Sequence, residues 1–144
     1  MPITFHNADI KFQLVRKIEL KKFIAQKVAK EAKKKLRLHC IFCSDKYLLN
    51  LNRHFLNHDF YTDILTFPIN ENEKEIDAEI YISIDRVKEN SRKLKTDLEV
   101  ELMRVIFHGI LHLIGYKDKT KPQQKNMRKK ENQWLKQAEG MLWL

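Results

Sequence analysis

Apolar residues change their spacing several times along this chain, and each change marks an element. Ile3 to His6 reads as a short first strand. From Ile18 to Lys35, Leu20, Phe23, Ile24, Val28 and Ala32 recur every three or four residues with lysines between them. That spacing predicts an amphipathic helix. Leu36 to Phe42 alternates and is rich in strand formers. Ser44 or Asp45 can cap a following helix that would turn Tyr47, Leu48, Leu51 and Phe55 inward. Ile64 to Ile69 reads as a strand, and Pro68 within it points to a sheet edge or a strand end. After a polar turn from Asn70 to Lys74, Ile76 to Ile84 alternates with Ala78, Ile80, Ile82 and Ile84 on one face.

Asp85 is the expected cap of a short helix to about Leu94. Thr96 and Glu99 have capping-box spacing ahead of a more apolar helix. That helix carries Leu98, Leu102, Val105, Ile106, His108, Leu111 and His112 to a stop at Gly115. A last helix starts near Pro122 and runs to about Glu139, with Met127, Trp134 and Leu135 toward the core. The expected class is α+β (mixed α/β): one compact domain over 1–144, about four strands in a mixed sheet, and about five helices. Three glycines and three prolines leave little room for a linker, and no internal repeat is visible.

Composition narrows the picture. Hydrophobic residues make up 43%, and 144 residues can bury a real core. No apolar run approaches the roughly 20 residues of a membrane span. The N-terminus lacks the basic and apolar regions of a signal peptide, and only two cysteines occur. A reducing, cytoplasmic setting is expected. Lys and Arg number 28 against 19 acids, giving +9. Much of this surplus lies in 21–37 and 117–130. The charge alone suits a polyanion such as nucleic acid and a solvated basic face equally, and the second stretch, beginning beside His108 and His112, tilts the balance toward nucleic acid.

The strongest chemical signal is a histidine pair. His108 and His112 stand four apart in an apolar run, so a helix would bring both imidazoles to one cation. Gly115 can reverse the chain and return Asp118 as a third ligand. Three protein ligands and one open position describe a catalytic metal site. A zinc peptidase of the His-Glu-x-x-His kind carries its base directly after the first histidine; here that position is Gly109. Attacking water would then need activation by the metal or by a base elsewhere. A rival pair, His54 and His58, is followed by Asp59 and Asp63, but its polar neighbours suggest an exposed helix end. Cys40 and Cys43 lie three apart in a strand pattern, so their thiols would face opposite ways as separate buried residues. Thr62 and Asp63 read as turn caps.

The run His108-Gly109-Ile110-Leu111-His112-Leu113-Ile114-Gly115-Tyr116-Lys117-Asp118 resembles the signature of the YbeY family, the bacterial rRNA maturation endoribonucleases. Met127 and Glu131 match that family's spacing. Leu51-Asn52, Thr62-Asp63-Ile64-Leu65-Thr66-Phe67-Pro68 and Asp77-Ala78-Glu79-Ile80-Tyr81-Ile82-Ser83 are similar to its upstream segments. The resemblance covers about Leu36 to Trp134. Asp118 stands where the family usually has a third histidine, and Leu56 where it commonly has an arginine.

The resemblance implies a metal-dependent, single-strand-specific endoribonuclease with a basic cleft. It also implies one divalent ion, zinc by preference, held by His108, His112 and Asp118. Lys117 and Arg53 are cleft candidates. Implied partners are the 16S rRNA precursor, the small ribosomal subunit and ribosome-assembly proteins, in 16S rRNA 3′-end maturation and small-subunit quality control. The alternative is a non-catalytic RNA-binding ribosome-assembly factor with a structural metal. Two histidines and a carboxylate also form the non-haem iron triad, but nothing in the sequence suggests a cosubstrate pocket.

Overall fold

The alternating segments pair as β1 (Ile3–Asn7), β2 (Lys35–Cys43), β3 (Ile64–Glu71) and β4 (Glu75–Ser83). In the computed structural model, which describes residues 2–142, the sheet order is β1-β2-β4-β3. β1 and β4 flank β2 in parallel, and β3 runs antiparallel to β4. A parallel pair needs a crossover, and α1 (Lys17–Ala32) supplies it between β1 and β2. The remaining helices are α2 (Asp45–Leu56), α3 (Ile84–Leu94), α4 (Leu98–Leu113) and α5 (Lys121–Leu142). Among the described residues, the single mixed α/β domain with four strands and five helices is as expected. No helix of the described residues is long and apolar enough to cross a membrane.

Pro68 does sit on an edge strand, and the register breaks between Pro68 and Asn70. Proline lacks the N–H that an interior ladder needs, and a bulge beside it blunts the edge. β3 continues to Glu71, so the polar turn is shorter than the sequence suggested.

The sheet has two unlike faces. Leu36, Leu38, Cys40, Phe42, Ile76, Ala78, Ile80 and Ile82 point to the main core, beneath α1, α4 and α5. Leu20, Phe23, Ile24 and Val28 of α1 are buried there. Trp134 of α5 meets Phe107 of α4 edge-on at 5.5 Å and Phe23 of α1 at 6.4 Å. Its Nε1–H donates to Glu31 of α1 at 2.7 Å. α5 is thereby fixed in rotation, which matters because Glu131 lies one turn before Trp134. The opposite face carries α2, whose Leu48 packs with Cys43 and Leu65 beside Tyr47, Leu51, Phe67 and Tyr81.

α4 is apolar on nearly every side, as a helix enclosed by its neighbours must be. A Cβ on Gly109 would stand 2.6 Å from Ile64 Cδ1 and 3.1 Å from Ile80 Cδ1. The missing side chain lets α4 approach the sheet closely. A glutamate at this position would be driven into β3 and β4, not toward the histidines.

Four details differ from the sequence reading. Phe55 is 61% exposed and meets the sheet edge-on, at Phe67 of β3, 6.2 Å between ring centres. Ser83 caps α3 by accepting from Arg86 N–H at 3.1 Å, while Asp85 instead accepts from Asp45 N–H of α2 at 2.9 Å. Asp97, not Thr96, takes the cap position of α4, with no side-chain cap bond. A true box forms at α5: Gln123 N–H donates to Thr120 Oγ1, and Thr120 N–H donates to Gln123 Oε1.

Candidate metal centre

α4 ends at Leu113, and Ile114 and Gly115 turn the chain away. Gly115 has φ 109°, a conformation that side chains with a Cβ rarely adopt. Tyr116 N–H donates back to Leu111 C=O at 3.0 Å, closing the helix end. This turn brings Asp118 back over the two histidines.

His108 Nε2, His112 Nε2 and Asp118 Oδ2 lie 3.1–3.2 Å from one another. All three side chains are partly exposed, at 26%, 32% and 38%. The other ring nitrogens are already engaged. His108 Nδ1 meets Glu131 Oε2 at 2.6 Å, and His112 Nδ1 meets the Tyr116 carbonyl at 3.0 Å. Both partners are acceptors, so both Nδ1 atoms carry hydrogen. In neutral imidazoles the Nε2 atoms then present lone pairs, beside a carboxylate oxygen. Three acceptors converging on one point repel unless a cation or a proton lies between them. A tetrahedral ion with bonds of about 2.0–2.1 Å would separate its ligands by about 3.3–3.4 Å. The residues therefore fit one small divalent cation, with zinc-type donors.

Glu131 is the orienting partner of His108 and is buried. Arg104 Nη1 and Arg128 Nη1 approach its Oε1 at 3.4 and 3.6 Å. Burial opposes charge on His108. The Glu131 hydrogen bond, with the charges of Glu131, Asp118 and Asp63, outweighs that and raises its pKa above the ordinary histidine value. A proton therefore competes for the position a cation would take.

A cavity of about 560 Å³ opens beside the triad. Its lining includes Lys93, Arg104 and Arg128, against the carboxylates Asp63, Glu101, Asp118 and Glu131. The interior is thus mixed in charge. Asp63 accepts from Asn90 Nδ2 at 3.2 Å. Burial pushes its carboxyl above the usual range, against the pull of His108. Glu101 is 3% exposed, and its Oε1 has no hydrogen-bond partner. Burial raises its pKa too, with Arg104 opposing.

Neither Arg53 nor Lys117 is among the residues lining this cavity. Arg53 pairs with Asp59 on the surface. Lys117 borders a separate shallow depression with Gly115, Tyr116 and Gln123. Leu56 is 40% exposed. His54 and His58 turn to different phenylalanines: His54 meets Phe55 edge-on, and His58 stacks on Phe60. Cys40 and Cys43 are both buried, on opposite faces of the sheet. Reading Asp63 as a turn residue alone missed its place in the cavity. Glu101 was missed as well, although a lone acid inside an apolar helical stripe is a visible signal.

The family model for Endoribonuclease YbeY matches residues 3–139. The chain is 46% identical over 130 residues to the endoribonuclease YbeY of Cytophaga hutchinsonii, covering 90% of this chain and 91% of that protein. It is 40% identical to the one from Flavobacterium psychrophilum, covering 90% and 92%. A Thermotoga maritima protein solved in solution superposes with a TM-score of 0.62 at 27% identity, covering 96% of this chain and 89% of that one.

Proposed function

This chain belongs to the endoribonuclease YbeY family, and from that premise we propose that it is a metal-dependent, single-strand-specific endoribonuclease. Its proposed setting is the cytoplasm, its substrate the 16S rRNA precursor, and its task 3′-end maturation and quality control of the small subunit. The observation that carries the reading is the convergence of His108 Nε2, His112 Nε2 and Asp118 Oδ2, with the opposite imidazole N–H groups already engaged.

When bound, a zinc ion would polarise a phosphoryl oxygen and make water acidic enough to attack near neutral pH. Every other task falls to the protein. Glu131 and the Tyr116 carbonyl hold the two imidazoles in one tautomer and one orientation. Gly115 sets the turn that delivers Asp118. Lys93, Arg104 and Arg128 bring positive charge to the cavity, where it can meet a phosphate and the charge that develops on it. Asp63, buried and raised in pKa, is suited to take a proton at its carboxylate and return it to a leaving oxygen.

The test is RNA cleavage and bound metal measured together. Purified protein is expected to hold one ion per chain and to cut single-stranded RNA. His112→Ala is expected to lose both while keeping its circular dichroism. Cleavage that survives His112→Ala would end the reading. The absence of an arginine at Leu56 favours a second reading, a non-catalytic assembly factor with a structural metal. It predicts binding to small-subunit precursors without turnover, and melting that a chelator lowers.

A further inference from the structure

From Arg53 to Tyr61 nine consecutive residues are exposed, at the end of α2 and in the loop that leads to the cavity. Three of them are large aromatics: Phe55 at 61%, Phe60 at 55% and Tyr61 at 54%. Burying such side chains is favourable, so a cluster left in water calls for an explanation.

The rings are not loosely hung. Asn57 has positive φ and ends α2, and His58 N–H donates to the Asn52 carbonyl at 3.1 Å. The Asn52 side chain is fully buried and donates to the Phe60 carbonyl at 2.9 Å, gripping the loop from below. His58 lies over Phe60 at 5.1 Å and 21°, a stacked pair facing solvent. The Arg86 guanidinium sits 5.1 Å from the Tyr61 ring centre. Asp45 holds that guanidinium in turn at 2.8 Å. Tyr61 is thus backed by a fixed cation and remains 54% exposed, open to a flat partner.

Charge and position select the partner. Arg53, paired with Asp59, Arg86, paired with Asp45, and two histidines lie among the rings, on a chain of net charge +9. Tyr61 is two residues from Asp63, at most about 7 Å of extended chain from a residue that lines the cavity. A ligand seated on the rings would therefore continue into the cavity. Flat, sequence-tolerant aromatic surfaces next to cations suit unpaired bases, which are buried in the stack of a duplex and free in a single strand.

We propose that His58, Phe60 and Tyr61, with Phe55 at their edge, form a stacking platform for unpaired bases of an RNA strand that runs on to the metal centre. This rests on the nuclease reading above and adds a reason for single-strand preference: the platform takes only bases that are out of a helix.

The test uses the full chain and two probes, a single-stranded oligoribonucleotide carrying 2-aminopurine and a hairpin stem of the same sequence. The wild-type protein is expected to bind the single strand and quench the 2-aminopurine. Phe60→Ala and Tyr61→Ala should each weaken that binding on the order of tenfold and relieve the quenching. Tyr61→Phe should retain both, and stem binding should not change. Both sites are exposed, so melting temperature should stay put. Unchanged single-strand binding and quenching in both alanine variants would overturn the platform and leave the nuclease reading standing. A wild-type protein with no affinity for the single strand would overturn both. A self-association abolished by Phe60→Ala, with RNA binding intact, would instead assign these rings to a second copy of the chain.

Discussion

Two histidine pairs in this molecule share one spacing and reach different ends. His108 and His112 lie inside α4, so the helix keeps them on one face, and their ring centres are 4.7 Å apart. His54 is in the last turn of α2, but His58 lies beyond Asn57, where the helix has already ended. Four residues no longer mean one turn there, and each ring turns to its own phenylalanine. The carboxylates differ in the same way. Asp118 is returned to its histidines by Gly115, while Asp59 pairs with Arg53. An i,i+4 pair becomes a ligand set only when the helix persists through both residues and the far nitrogens have partners of their own.

The largest effect should come from the ligands. His108→Ala or Asp118→Ala is expected to lower zinc affinity by more than about a hundredfold in competition with a chromophoric chelator, exceeding what an orienting partner contributes. The double variant His54→Ala, His58→Ala should leave affinity unchanged; a loss there would erase the contrast between the pairs. Next comes the orienting partner. Glu131→Gln keeps an acceptor but loses its charge, and should weaken zinc binding about tenfold while leaving one ion per chain at saturation. No change in affinity would mean that the 2.6 Å contact does not tune the site.

A smaller effect is expected at Gly109. Gly109→Ala should cost about 1 kcal/mol in urea unfolding, since the ends of Ile64 and Ile80 must shift. Gly109→Glu should cost several times more and gain no peptidase activity, because the carboxylate would be buried against the sheet.

The smallest effect concerns Cys40 and Cys43, a spacing that could have suggested a metal or redox pair. Burial raises both thiols, with the Cys43 charge adding for Cys40, and burial then Asp9 acting on Cys43, which reaches about 12. Native protein should resist alkylation at pH 8 and react only when unfolded. The sign follows: a raised folded-state pKa gives stability that is complete below the thiol's ordinary 9.0, and for Cys43 it is lost as pH rises through about 12.

Much of this was legible in the sequence because periodicity reports burial. The alternation of 76–82 and the stripe of α1 appear in the structure as written. Pro68 announced an edge for a reason of donors alone. Helix caps were less legible: Ser83, Asp85, Thr96 and Asp97 are all competent, and the strand end and the packing of α2 on α3 choose among them. Phe55 carried a core pattern, yet at the end of α2 it meets Phe67 of β3 edge-on and stays 61% exposed. At the site, the triad could be read from spacing plus one glycine. Glu101, two turns before His108 on the same helix, was readable and missed, whereas Asp63 reaches the cavity from the start of β3, far from α4 in the chain.

The central claim is that one cation sits among His108, His112 and Asp118. X-ray absorption at the zinc edge of the loaded full chain, compared with Asp118→Ala, tests it most directly. The account predicts one ion with two imidazole nitrogens and a carboxylate oxygen at about 2.0–2.1 Å, and loss of one oxygen ligand or of the ion in the variant. An unchanged coordination shell in Asp118→Ala, or zinc that leaves only when His54 and His58 are replaced, would contradict it.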